Sequence, residues 1–197
     1  MKSKEVIGVH ERKRVAIITG ASKGLGRLMA IDMVRRGYDV LITGRNEKRL
    51  MQVKKECMEI RENSVVSLAC DLNELSNLDL IFKCVMKQWG RLDVLINNAA
   101  VRYPGTFHSG DYLLWEEMLR VNTLVPCIMM QKALHYFEPD ADAQIINISS
   151  TSAWRISKGG TFYPATKYAL RALSEAVRKE LVESGSKVRV TCISPAR

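Results

Sequence analysis

A chain of 197 residues, 47% of them hydrophobic, suits one domain with a single substantial core and excludes a disordered polymer. No apolar run approaches the roughly 18 residues needed to cross a membrane, and Met1-Lys2-Ser3-Lys4-Glu5 lacks the apolar stretch of a secretory signal. The net charge of +9 is spread through helical segments with interleaved Glu and no aromatic-basic platform, so it reads as solvated faces plus attraction of an anionic ligand, not a nucleic-acid surface.

After a basic N-terminal extension over 1–13, Val15-Ala16-Ile17-Ile18 reads as a short buried strand, spanning 14–19. It runs into Thr19-Gly20-Ala21-Ser22-Lys23-Gly24-Leu25-Gly26 and then a helix over 24–36. Strand, glycine turn and helix N-terminus form an anion site suited to a pyrophosphate, because the glycines let the backbone approach and the first turn offers free N–H groups. The spacing G-x-x-x-G-x-G is not a Walker loop, since no Gly-Lys-Ser/Thr follows. A second strand over 39–43 ends at Arg45, without the acid that usually binds a ribose 2′-hydroxyl there; Asp39 opens the strand and Glu47 lies beyond it. Arg45 either starts a surface helix or, with Lys23, faces a phosphorylated ribose.

A helix over 46–62, a strand over 64–69 and a helix over 73–89 follow, with Asp71 placed to cap that helix. The fourth strand, 92–96, leads into Asn97-Asn98-Ala99-Ala100. In the long helix over 114–137, Pro126 lies four residues after Asn122, so the Asn122 carbonyl loses its intrahelical partner and the helix bends. Such a carbonyl can hold a water, or the kink has no chemical meaning. The fifth strand, 143–149, ends at Ser150, and alternation turns Ser149 the other way. A helix over 163–184 carries Ala169, Ala172, Leu173, Ala176, Val177 and Leu181 on one apolar face, expected to pack on the sheet or partly on a second subunit. The sixth strand spans 187–193. This alternation predicts an α/β fold, a doubly wound parallel sheet with helices on both faces and ligands beyond the carboxyl ends of its strands.

Tyr163 and Lys167 lie four residues apart, one above the other on a helix. A phenol has a reference pKa of about 10, and an ammonium roughly 4 Å away at an effective dielectric near 20 favours the phenolate by about 4 kcal/mol, or about three pH units. That suits a general acid or base. The pair alone is also a common surface motif. The five cysteines (57, 70, 84, 127 and 192) are scattered without a C-x-x-C pair, which points to a reducing, cytoplasmic setting. His10, His108 and His135 have no metal-ligand spacing, so no metal is expected.

Thr19-Gly20 through Gly26, Cys70-Asp71-Leu72, Asn97-Asn98-Ala99-Ala100, Asn122, Ile148-Ser149-Ser150, Tyr163 with Lys167, and Ile193-Ser194-Pro195 together resemble the short-chain dehydrogenase/reductase family, from about Arg14 to Pro195. The run from Phe162 to Ser194 is most similar to the branch holding dehydrogenase/reductase member 11 and insect farnesol dehydrogenase-like proteins. The resemblance implies cofactor binding by Gly20, Ser22, Lys23, Gly24, Leu25, Gly26 and Arg45, with Asp71 and the backbone of Leu72 at the adenine and Asn98 along the ribose. It implies a catalytic set of Asn122, Ser150, Tyr163 and Lys167. Tyr163 protonates a carbonyl oxygen that Ser150 orients, Lys167 lowers the Tyr163 pKa and binds ribose, and Asn122 anchors a relay water. Ala100 departs from the family's glycine.

The two cations and missing acid at the second strand favour NADP(H) over NAD(H). The implied substrate is a small hydrophobic carbonyl or alcohol, of steroid, retinoid or isoprenoid type by resemblance, and the implied assembly a homodimer or homotetramer. The chain stops at Ser194-Pro195-Ala196-Arg197, short of the family's substrate helices and final strand. The expectation is a single truncated dinucleotide-binding domain: an NADP(H)-dependent oxidoreductase, or alternatively a catalytically silent nucleotide-binding or interaction protein.

Overall fold

The computed structural model describes residues 13–139, 141–156 and 161–196, so nearly all of the N-terminal extension lies outside the described residues. The described residues form six strands: β1 Val15–Thr19, β2 Asp39–Gly44, β3 Val65–Ala69, β4 Val94–Asn97, β5 Gln144–Ile148 and β6 Arg189–Ile193. They pair in the order β3-β2-β1-β4-β5-β6, every pair parallel. The order reverses between β1 and β4, so the loops after these two strands diverge and leave a crevice at the carboxyl edge.

Alternation along the strands explains the two-sided core. In β1, Val15 and Ile17 join one cluster with Leu78, Ile81, Phe82, Met129 and Ala133, which come from α3 (Leu75–Trp89) and α5 (Val125–Tyr136). Ala16 and Ile18 face the opposite way, onto Ala30, Val34, Leu50 and Val53 of α1 (Gly24–Arg35) and α2 (Glu47–Ile60). Strands β1, β2 and β4 are buried along their whole length, which is why they read as continuous apolar runs.

The long fourth helix is three segments. After α4 (Tyr112–Leu119), hydrogen bonding widens to a π turn over Arg120–Leu124, with the Val125 N–H donating to the Arg120 carbonyl, before α5 begins. Pro126 then falls in the first turn of α5, where a missing N–H is tolerated. The interruption expected at the proline is therefore made one turn earlier, by a π turn that carries Asn122.

In α6 (Phe162–Glu183) the buried face differs from the apolar stripe of the sequence. Pro164, Thr166, Lys167, Leu170 and Ser174 are buried, Leu173 and Val177 lie at the edge of the core, and Ala172 and Ala176 are exposed. Polar residues take part because they are bonded: Ser174 Oγ donates to the Leu170 carbonyl at 2.7 Å and accepts from Asn147 at 2.8 Å. Asn97 in turn donates to Asn147 at 2.9 Å, so a buried polar line ties β4, β5 and α6 beneath the crevice. Among the described residues no helix is long and apolar enough to cross a membrane, and no group of His, Cys, Asp or Glu is placed to hold a metal ion.

Candidate active site

The crevice is a cleft of about 770 Å³ running from the glycine turn to Tyr163 and Lys167. At its first end, Gly20 has φ +66°, and a Cβ there would stand 2.7 Å from the Ala99 Cα. A Cβ on Gly26 would meet Asn98 Nδ2 and the Gly20 carbonyl, each at 2.5 Å. These contacts hold the turn against the loop after β4. Thr19 reinforces them: its hydroxyl accepts from the Asn98 and Ala99 N–H groups, both at 3.0 Å. Lys23 takes the N-cap position of α1 without a side-chain cap, so no capping side chain occupies the first-turn N–H groups, and Ser22, Lys23, Gly24 and Leu25 line the cleft here.

Asn98 is more committed than the sequence suggested. Its Nδ2 donates to the carbonyls of Thr19 at 2.9 Å and Gly20 at 3.1 Å, so the side chain shapes the turn while its residue lines the cleft. Asp71 also lines the cleft but does not cap α3, whose N-cap is Glu74; Asp71 Oδ1 accepts from the Asn73 N–H two residues on, at 3.0 Å. Leu72 is buried beside it. Arg45 reaches the cleft from the end of β2, together with Arg49, which sequence reasoning passed over. Asp39 lies at the opposite end of β2, paired with Arg61 at 2.7 Å.

At the other end, Lys167 is buried at 2% exposure and its Nζ donates to the Ile148 carbonyl at 2.8 Å. Burial pushes its pKa down to about 8, opposed by the nearby Cys192 charge. The ammonium stands 5.9 Å from the centre of the Tyr163 ring, and the exposed Arg102 guanidinium lies 5.5 Å from the same centre. Arg102 comes from the loop after β4, a proximity no local spacing reveals. Ser150 lines the cleft, and its hydroxyl oxygen accepts from the Ser152 N–H at 3.1 Å, which leaves its proton available to another acceptor. Ser149 also lines the cleft, but its hydroxyl is committed to the Lys167 carbonyl, to which it donates at 3.2 Å.

Asn122 is fully buried and clamps two segments. Its Oδ1 accepts from the Val101 N–H at 2.8 Å, and its Nδ2 donates to the Val101 carbonyl at 2.9 Å and to Thr166 Oγ1 at 3.1 Å. The π turn thus fixes both the loop after β4 and the helix carrying Tyr163 and Lys167.

Residues 14–197 match the family model of the short chain dehydrogenases. The chain is 35% identical over 189 residues to the Bos taurus dehydrogenase/reductase SDR family member 11, covering 93% of this chain and 74% of that protein. It is 31% identical over 187 residues to an uncharacterized oxidoreductase of Staphylococcus saprophyticus, covering 95% and 79%. A short chain dehydrogenase from Mycobacterium smegmatis superposes with a TM-score of 0.87 at 27% identity, covering 94% and 77%. A short chain dehydrogenase/reductase from Burkholderia phymatum, solved in complex with NAD, superposes with a TM-score of 0.88 at 22% identity; this chain spans 66% of its length, and that likeness concerns the fold.

Proposed function

The chain belongs to the short-chain dehydrogenase family of oxidoreductases, and from that premise we propose that it interconverts a carbonyl and an alcohol with NADP(H). The observation that carries this reading is a buried lysine beneath a tyrosine at the end of a cleft that opens from a glycine turn. The residues fit a dinucleotide. Gly20 and Gly26 admit no side chain, the α1 N-terminus is uncapped, and Lys23, Arg45 and Arg49 put positive charge along the same wall.

The nicotinamide supplies or takes the hydride; the chain's own residues orient the substrate and move the proton. Tyr163 gives its phenolic proton to the carbonyl oxygen in reduction and recovers it in oxidation. Ser150, its oxygen pinned by the Ser152 N–H, donates to the same carbonyl oxygen. Lys167 supplies positive charge under the Tyr163 ring and binds the ribose, and Arg102 adds a second cation to that ring. The Asn122 side chain is occupied with Val101 and Thr166, so it positions the site, and the relay water rests on its main-chain carbonyl. A small hydrophobic carbonyl or alcohol is the substrate class.

Carbonyl-dependent oxidation of NADPH and of NADH across a substrate panel tests the proposal. Turnover is expected, with the lower KM for NADPH; absence of carbonyl-dependent oxidation with either cofactor refutes it. The same reading puts a second copy on the apolar groove of Leu119, Leu124, Cys127 and Leu173. Sedimentation equilibrium tests that assembly, and a monomer at every concentration contradicts it.

A further inference from the structure

The end of β2 carries no acid of its own, but the fold brings one there from 72 residues away. Glu117 Oε1 in α4 lies 3.4 Å from Arg45 Nη1 and accepts from Asn73 Nδ2 at 3.4 Å, while Oε2 accepts from the Tyr103 hydroxyl at 2.6 Å. Three segments therefore hold one carboxylate: the end of β2, the loop before α3 and the loop after β4. The Glu117 side chain is 23% exposed, so it is neither a free surface charge nor a core residue. Its hydrogen bond is the main cause that raises the Tyr103 pKa, which keeps Tyr103 a donor and the carboxylate in place.

The consequence concerns the ribose. A dinucleotide with a 2′-phosphate is gripped by Arg45 only if that guanidinium leaves Glu117 or accepts the phosphate beside a carboxylate. A free 2′-hydroxyl suffers neither conflict, and a carboxylate near it is what folds that favour NAD place at the end of their second strand. We propose that Glu117 is a specificity-determining residue, a counter-ion that restrains Arg45 and narrows the margin between NADP(H) and NAD(H). This rests on the cofactor reading above.

The test measures Kd for NADPH and NADH by titration calorimetry on the parent, Glu117→Gln, Arg45→Gln and the double variant. Glutamine keeps the length and removes the charge; its oxygen can still accept from Asn73 Nδ2, and its amide N–H can donate to the Tyr103 oxygen in place of the bond that Tyr103 donates to the carboxylate. The expected result is an NADPH-over-NADH ratio raised about fivefold in Glu117→Gln, the scale of an exposed ion pair, with the melting temperature unchanged. Little further effect is expected in the Arg45→Gln background. Glu117→Asp, which withdraws the carboxylate by one methylene, is expected to shift the ratio the same way by less. An unchanged ratio, or an equal rise without Arg45, overturns the inference while leaving the cofactor reading intact. A parent that binds neither cofactor overturns both.

Discussion

Lys167→Met probes the buried cation on which the site rests. Methionine keeps the length of the stem and removes the charge. The parent lysine's pKa is lowered from 10.5 to about 8, chiefly by burial at 2% exposure. At ~1.4 kcal/mol per pH unit, that is a cost of about 3 kcal/mol for carrying the charge in the folded state. The sign follows from proton binding. Between about pH 8 and 10.5 the unfolded chain holds the proton and the folded chain has released it, so folding stability rises with pH across that window. Below about 8 the full cost is present. From about pH 6.5 to about pH 9.5 the parent should gain roughly 2 kcal/mol relative to Lys167→Met. Losing the hydrogen bond to Ile148 shifts the variant by a pH-independent amount, so the pH-dependent difference reads Lys167 together with the neighbours its charge acts on, Tyr163 and Cys192. Urea unfolding followed by tryptophan fluorescence, run on both proteins at the two pH values, reads it. Parallel pH dependence in parent and variant would refute the reasoning.

Gly26→Ala places a methyl carbon 2.5 Å from both Asn98 Nδ2 and the Gly20 carbonyl, and 2.9 Å from the Ala21 Cα, where backbone cannot yield. A loss of about 1–3 kcal/mol and of most NADPH affinity is expected in thermal melts and titrations, and unchanged affinity would contradict the packing described. Asn122→Ala leaves the Val101 N–H and carbonyl and Thr166 without their partner in a fully buried place, so a drop of roughly 2–4 kcal/mol is expected. A melting temperature within experimental error of the parent would show that the π turn does not depend on that clamp.

The sheet was legible because its signals are local. Val15 to Ile18 and Val40 to Ile42 are apolar without interruption, as strands covered on both faces must be, and all six strands lie within two residues of their predicted starts. The glycine turn was legible for the same reason, since Gly20 and Gly26 fill positions where any side chain collides. Polar burial was not. Lys167 is interior because the Ile148 carbonyl accepts from it and Ser174 because Asn147 donates to it, and an apolar count along α6 instead selects Ala172 and Ala176, which are exposed. The π turn was hidden because Pro126 announces a bend but not where the ladder widens to absorb it. Glu117 and Arg102 reach Arg45 and Tyr163 only through the crossing of distant loops, so no spacing in the sequence pairs them.

Transfer of an isotopic label tests the proposed role of Tyr163 in hydride transfer within this cleft. Reduced cofactor carrying deuterium at the transferable position is incubated with the protein and a panel of hydrophobic ketones and aldehydes, and the alcohols are analysed by mass spectrometry. The expected result is deuterium on the carbinol carbon with the parent and none above background with Tyr163→Phe, whose cofactor affinity stays near that of the parent because only the transferable proton is removed. Cofactor binding without label in any alcohol, or equal label from Tyr163→Phe, would contradict the account.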